Sequence, residues 1–226
     1  MARIGVVLSG CGVQDGSEIH EAVLTLLALD RAGAEAVIMA PDKPQADVVN
    51  HVTGKPAKEK RNVMVEAARI ARGKITDVAK VDAAELDGVI LPGGYGAAKN
   101  LSTFATEGDA CTVDESVQEL LRELHAQGKP IAALCIAPTI LARIFGEALH
   151  PELTIGRDAG TAEALESMGA KHFEASVTEV VVDERNRIVT TPCYMLPARV
   201  SEIATGAEKA VRALLSLVKQ TAGAAR

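Results

Sequence analysis

Short runs of uninterrupted apolar residues alternate along this chain with longer stretches in which apolar positions recur every three or four residues. Ile4–Leu8 is a run of the first kind, and it predicts a fully buried strand. A glycine-rich turn, Ser9–Gly16, follows it. Ile19, Ala22, Val23, Leu26 and Leu27 then recur at helical spacing, and the pattern closes at Gly33. Ala36–Met39 and Asp87–Leu91 read as further strands, the second ending in Pro92, Gly93 and Gly94. A polar helix over Val113–Ala126 stops at Gln127–Pro130. Ile131–Leu134 is an apolar strand that runs straight into a helix, Pro138–Phe145, with Gly146 as its cap. Val177–Asp183 and Arg187–Thr191 flank a polar turn and predict a hairpin. A last helix carries Val200, Ile203, Ala207, Val211, Leu214, Leu215 and Val218 on one stripe.

Apolar strands alternating with amphipathic helices imply an α/β fold, a three-layer sandwich with a mostly parallel sheet covered on both faces. Residues 41–80 break the rhythm. They hold polar loops, a short strand over Asp47–Val52 and a helix over Arg61–Arg72, and they read as an insertion within a single domain spanning 1–220. Thr221–Arg226 reads as a frayed tail.

Composition narrows the function. The 226 residues include 24 Lys+Arg and 30 Asp+Glu, a formal charge of −6, and the only aromatics are three Phe and two Tyr. An acidic chain with so few stacking side chains is not expected to bind nucleic acid. The longest largely apolar stretch, Ile131–Phe145, is interrupted by Pro138 and Arg143 and is too short to span a bilayer, so no membrane partner is expected. The first apolar run is too short for a secretory leader, and the default expectation is the cytoplasm. Cys11, Cys111, Cys135 and Cys193 form no metal-ligand or disulfide spacing and are expected as reduced thiols.

In parallel sheets ligands bind beyond the carboxyl ends of the strands. Three segments leave strands there: Ser9–Glu21, Pro92–Asn100 and Cys135–Pro138. Cys135 sits where a buried strand turns abruptly into a helix, with the small residues Ala133 and Ala137 two positions to either side. Such an elbow exposes its central side chain. The positive end of the helix starting at Pro138 is expected to lower the thiol pKa and favour thiolate. Gly93 and Gly94 offer free backbone N–H groups for an oxyanion, but no Lys-Ser or Lys-Thr follows to make a nucleotide phosphate loop. Gly10, Gly12 and Gly16 miss the dinucleotide fingerprint by one position, so no nucleotide cofactor is expected. Glu18, His20 and Glu21 open the first helix. Each glutamate reads either as a charge favouring the helix dipole or as a group facing the cleft, and position alone does not separate them. The histidines form no ligand pattern, and no metal is expected.

Several stretches together carry a family likeness: Ile4–Val13, Asp15–Val23, Ala40–Lys43, Leu91–Leu101, Cys135–Pro138 and Val181–Pro192. On these the chain resembles the DJ-1/PfpI superfamily, with the flavodoxin-like fold of class I glutamine amidotransferases, and within it the ElbB-type isoprenoid biosynthesis glyoxalase branch. The resemblance implies that Cys135 is the nucleophile and that Glu21 hydrogen-bonds it, with Glu18 beside it in the motif. It implies that the backbone N–H groups of Gly94 and Ile136 hold an oxyanion. It also implies a homodimer. The chain lacks glycines on both sides of the elbow, a downstream His-x-Glu, and a histidine directly after the cysteine, so amidotransferase and peptidase triads are not expected. The resulting expectation is a cofactor-free glyoxalase that converts glyoxal, or another small 2-oxoaldehyde, to the hydroxy acid through a Cys135 hemithioacetal. The alternative is a redox or stress-response protein that senses oxidants through Cys135.

Overall fold

The computed structural model describes residues 1–224. In chain order its elements are β1 (Arg3–Val7), α1 (Ile19–Arg31), β2 (Glu35–Ala40), β3 (Val49–Asn50), β4 (Lys55–Pro56), α2 (Val63–Ile70), β5 (Thr76–Asp77) and β6 (Gly88–Leu91). There follow α3 (Tyr95–Lys99), α4 (Phe104–Glu107), α5 (Glu115–Ala126), β7 (Ile131–Leu134) and α6 (Pro138–Leu149). The remainder is β8 (Glu152–Leu153), α7 (Ala159–Ser167), β9 (Lys171–His172), β10 (Val181–Asp183), β11 (Ile188–Thr191) and α8 (Val200–Ala224).

Seven strands form the central sheet in the order β10-β11-β7-β6-β1-β2-β5, and every pairing is parallel except β10 with β11. Alternate residues of one strand serve opposite faces. Ile131 and Ala133 join the core built with α5, α6 and α7, whereas Ala132 and Leu134 join the one built with α1, α2 and α8. This is why the central strands are apolar without a period of two. The three-layer sandwich implied by the apolar runs is the observed fold, and it is flavodoxin-like, as the family resemblance implies. β2 lies on one side of β1 and β6 on the other, so the connections diverge between β1 and β6 and leave a crevice at their carboxyl ends. Segment 41–80 contributes a small antiparallel hairpin, β3–β4, together with α2 and the edge strand β5.

Three local expectations need correction. Gly146 does not cap α6; the helix continues to Leu149 and ends at His150, whose backbone is left-handed at φ 47°. A Cβ at residue 146 would lie 1.9 Å from the Met168 carbonyl oxygen, so this glycine permits a close helix-to-turn contact within the helix. The α1 stripe is rotated. Glu21, Ala22, Thr25, Ala28 and Leu29 are buried, while Ile19, Val23 and Leu27 are exposed. A helix that is apolar nearly all round has no face fixed by periodicity, and tertiary contacts choose one. Finally, α8 runs through the expected tail as far as Ala224, with Arg187 donating to the Leu217 carbonyl and the Thr221 hydroxyl; Ala225 and Arg226 lie outside the described residues.

Candidate functional site

The three segments that leave β1, β6 and β7 meet at one point. β7 ends at Leu134, and Cys135 turns the chain with a left-handed φ of 60°, a conformation that costs a non-glycine residue about 1–3 kcal/mol. Its N–H donates to the Thr191 carbonyl at 2.9 Å, which ties the elbow to the end of β11. Ala133 and Ala137 are fully buried around it, and Pro138 takes the first position of α6, where its missing N–H leaves no bond unmade. The Cys135 side chain is 7% exposed.

The β6 segment packs directly against this elbow. A Cβ at residue 93 would lie 2.4 Å from the Cys135 Cβ and 2.8 Å from Glu21 Oε2, so only glycine fits between the thiol and the carboxyl. Gly94 holds φ 96° with its Cα against the Glu18 amide and the Gly16 carbonyl. The Gly94 N–H and that of Ile136 lie near enough to the Cys135 sulfur to favour its charged form.

The two glutamates of the first helix divide. Glu21 is fully buried; its Oε2 accepts the Gly93 N–H at 2.9 Å and its Oε1 accepts the Tyr194 N–H at 3.2 Å. Glu18 turns back on the helix, where its Oε2 accepts the Glu21 N–H at 2.7 Å as an N-cap. His20 does not reach the sulfur: it is exposed, and its Nδ1 pairs with the Tyr194 hydroxyl at 2.9 Å.

The electrostatics reverse the expectation of a thiolate. Burial pushes the Cys135 thiol well above its usual pKa, and the charge of Glu21 pushes it further; the N–H groups of Gly94 and Ile136 oppose this without winning. One helix end worth about 0.3–1 kcal/mol cannot offset loss of water around the sulfur together with a carboxylate beside it. Burial likewise raises Glu21 to about 7, with the Glu18 charge adding to it and the N–H groups of Tyr194 and Gly93 holding it down. Near neutral pH the pair therefore comprises a protonated thiol and a carboxyl able to take its proton.

A cavity of about 420 Å³ opens over the sulfur, lined by Tyr95, Phe104, Ile136, Asp158, Tyr194 and Met195 among others. Of these walls, sequence reasoning named Ile136, for its N–H, and the segment that holds Tyr95, and it missed the others. Tyr194 had a signal, since it follows the predicted strand Arg187–Thr191 and so falls at a carboxyl end where ligands bind. Phe104 and Asp158 had none, because they arrive from α4 and the start of α7 through tertiary packing. Among the described residues, no group of three or more His, Cys, Asp or Glu side chains is placed to hold a metal ion.

Known proteins place this arrangement. The DJ-1/PfpI family matches residues 11–194. The human glutamine amidotransferase-like class 1 domain-containing protein 3, mitochondrial, is 49% identical, over 96% of this chain and 83% of that protein. The Danio rerio ES1 protein, mitochondrial, is 37% identical, over 85% of this chain and 77% of that protein. Among solved structures, an isoprenoid biosynthesis protein with an amidotransferase-like domain from Ehrlichia chaffeensis superposes with a TM-score of 0.91 at 34% identity, covering 96% of this chain and 99% of that one. Relatives that are mitochondrial by name overturn the cytoplasmic expectation. That expectation rested on the lack of an apolar secretory leader, and mitochondrial addresses are amphipathic and need no such run. On the family match and on relatives this similar over almost its whole length, the chain belongs to the DJ-1/PfpI family.

Proposed function

We propose that the protein is a cofactor-independent glyoxalase acting through Cys135. The DJ-1/PfpI family includes glyoxalases and proteases. The observation that carries the choice is the meeting of three groups: a thiol, a buried carboxyl raised to about 7, and two backbone N–H groups near the sulfur. As Sγ adds to an aldehyde carbon, the thiol proton passes to the Glu21 carboxylate. The new oxyanion, on the carbon bonded to sulfur, forms within reach of the Gly94 and Ile136 N–H groups. Glu21 gives that proton to the oxyanion, which completes the hemithioacetal, and its freed carboxylate then removes the hydrogen of that carbon and returns it to the neighbouring carbonyl carbon through an enediol. The first carbon is thereby oxidised to a thioester and the second reduced to a carbinol. Water cleaves the thioester, which frees the thiol and releases the hydroxy acid. A carboxyl near 7 suits both halves of this shuttle, because it gives and takes a proton at neutral pH.

The test is glycolate formation from glyoxal by the purified protein without added glutathione, metal or nucleotide. Wild type is expected to turn over and Cys135→Ala to show none above background. Equal rates in the two proteins would end the glyoxalase reading. The second reading, an oxidant sensor, draws on the same raised carboxyl, since a protonated Glu21 can donate to an oxygen of a Cys135 sulfinate. Stoichiometric oxidation of Cys135 by peroxide, in a protein that forms no glycolate, would favour it.

A further inference from the structure

The cavity over Cys135 is far larger than glyoxal requires. A water-sized molecule takes about 30 Å³ of liquid volume, and a two-carbon dialdehyde is only a few times that, whereas this space measures about 420 Å³. Its walls are also unusual for this chain. The sequence has only three Phe and two Tyr, yet Tyr95, Phe104 and Tyr194 all line this cavity, together with Ile136 and Met195. None of these five side chains is fully buried, and Tyr95 is exposed. Apolar side chains left half-wet around a concave site gain from an apolar occupant.

The charge at the site has one sign. Among the described residues no Lys, Arg or His lines the cavity, and Asp158 is one of its lining residues. Asp158 is exposed, and its Oδ1 is engaged by the N–H and hydroxyl of Thr161, which hold its carboxyl below the usual range. The nearby cations are committed elsewhere. Lys99 lies over the Tyr95 ring at 5.8 Å and bonds Asp47 and the Gln14 carbonyl, Arg157 pairs with Glu174 at 3.6 Å, and the His20 ring is bonded to the Tyr194 hydroxyl at 2.9 Å. A carboxylate or phosphate on the substrate would meet no cation among the described lining residues and one fixed anion.

We infer that the site selects carbonyl compounds with a bulky apolar, preferably aromatic, substituent and rejects those carrying an anion. That the compound is a 2-oxoaldehyde rests on the glyoxalase reading above; the shape and charge of the cavity do not. An arylglyoxal would then be a better substrate than glyoxal, with phenylglyoxal taking up water to give mandelate.

Two arms separate the inference from the reading beneath it. The first needs no turnover. Phenacyl bromide and 4-carboxyphenacyl bromide alkylate Cys135 in one step: an S–C bond forms, bromide leaves with the C–Br electron pair, and the thiol proton goes to Glu21. With rates at Cys135 divided by those of a small free thiol, the uncharged reagent is expected to react at least tenfold faster. Asp158→Asn should narrow that ratio severalfold, and Phe104→Ala should slow phenacyl bromide more than iodoacetamide. Equal normalised rates in wild type, or a preference for the carboxylate, would overturn the inference. In the second arm, kcat/KM for phenylglyoxal is expected to exceed that for glyoxal by about ten- to a hundredfold, the range set by burying one ring. Absence of all turnover with the alkylation preference intact would sink the glyoxalase reading and support the cavity's selectivity. Turnover of glyoxal with no gain for phenylglyoxal would do the reverse.

Discussion

Cys135 and Cys193 occupy nearly matched places and differ in what surrounds them. Each lies just beyond the carboxyl end of a strand, β7 and β11, and these strands are parallel neighbours. Each has a left-handed backbone, φ 60° and 45°. Burial pushes both thiols well above their usual pKa. Yet Cys135 opens onto a cavity, lies beside Glu21, and has two N–H groups near its sulfur. Cys193 is fully closed off in the core shared with α8. Backbone strain and a place at the carboxyl end of the sheet are therefore shared by the two cysteines and do not set Cys135 apart. Access, a base and anion donors are the added ingredients, and they come from other elements.

The sharpest way to break this comparison is to remove the base. Glu21→Gln should keep the fold and the thiol while lowering glycolate formation about 10²–10⁴-fold, the usual worth of general acid–base catalysis. Glu18→Gln should cost much less, because Glu18 caps α1 and does not face the sulfur. Cys193→Ala should keep most of the rate. Rates of these variants, with folding checked by circular dichroism, decide it; comparable losses in Glu18→Gln and Glu21→Gln would erase the distinction between the two glutamates.

A smaller effect is expected in the pH dependence of labelling. The carboxylate form of Glu21 accepts the thiol proton and the protonated form cannot. Iodoacetamide labelling of Cys135 should therefore rise with pH through about 7, the value to which burial raises Glu21. Glu21→Gln should remove that inflection and leave only the rise of the thiol's own ionisation at higher pH. Cys193 should stay unlabelled while the protein is folded. Peptide mapping after brief exposure at several pH values reads both sites, and labelling of Cys193 at the rate of Cys135 would contradict its closure.

The smallest effect concerns what the two sites share. Glycine accepts the left-handed backbone that alanine resists, by about 1–2 kcal/mol. Cys193→Gly should thus be more stable to urea than Cys193→Ala by that order, and Cys135→Gly more stable than Cys135→Ala. An alanine variant equal to its glycine partner would show that the turn relaxes when the thiol is removed.

Much of the molecule was legible because strand and helix periods are local. The runs at 4–8, 87–91 and 131–134 became β1, β6 and β7, and the carboxyl-end rule pointed to the three loops that do meet. Edges were less legible. β5 is only two residues long and gains its place from pairing with β2, so no local pattern announces it. The face of α1 was misread because Ile19, Val23 and Leu27 are as apolar as the residues that are buried, and Glu21 enters the interior only because Gly93 and Tyr194 supply two N–H groups to receive it. The state of the thiol was misread for a related reason. The helix at Pro138 is visible in sequence, whereas desolvation and the neighbouring carboxyl are not.

By itself the sequence determined the layers of the sandwich, the elbow at Cys135 and the glycines that let β6 close on it. These follow from apolar period, chain turns and absent side chains, all properties of neighbours along the chain. Beyond what the family resemblance implied, the tertiary structure decided which glutamate is buried beside the thiol, that the resting sulfur keeps its proton, and that three of the five Phe and Tyr side chains gather over it. Burial, electrostatics and cavity shape are sums over groups far apart in sequence, and only the folded chain brings those groups within reach of one another.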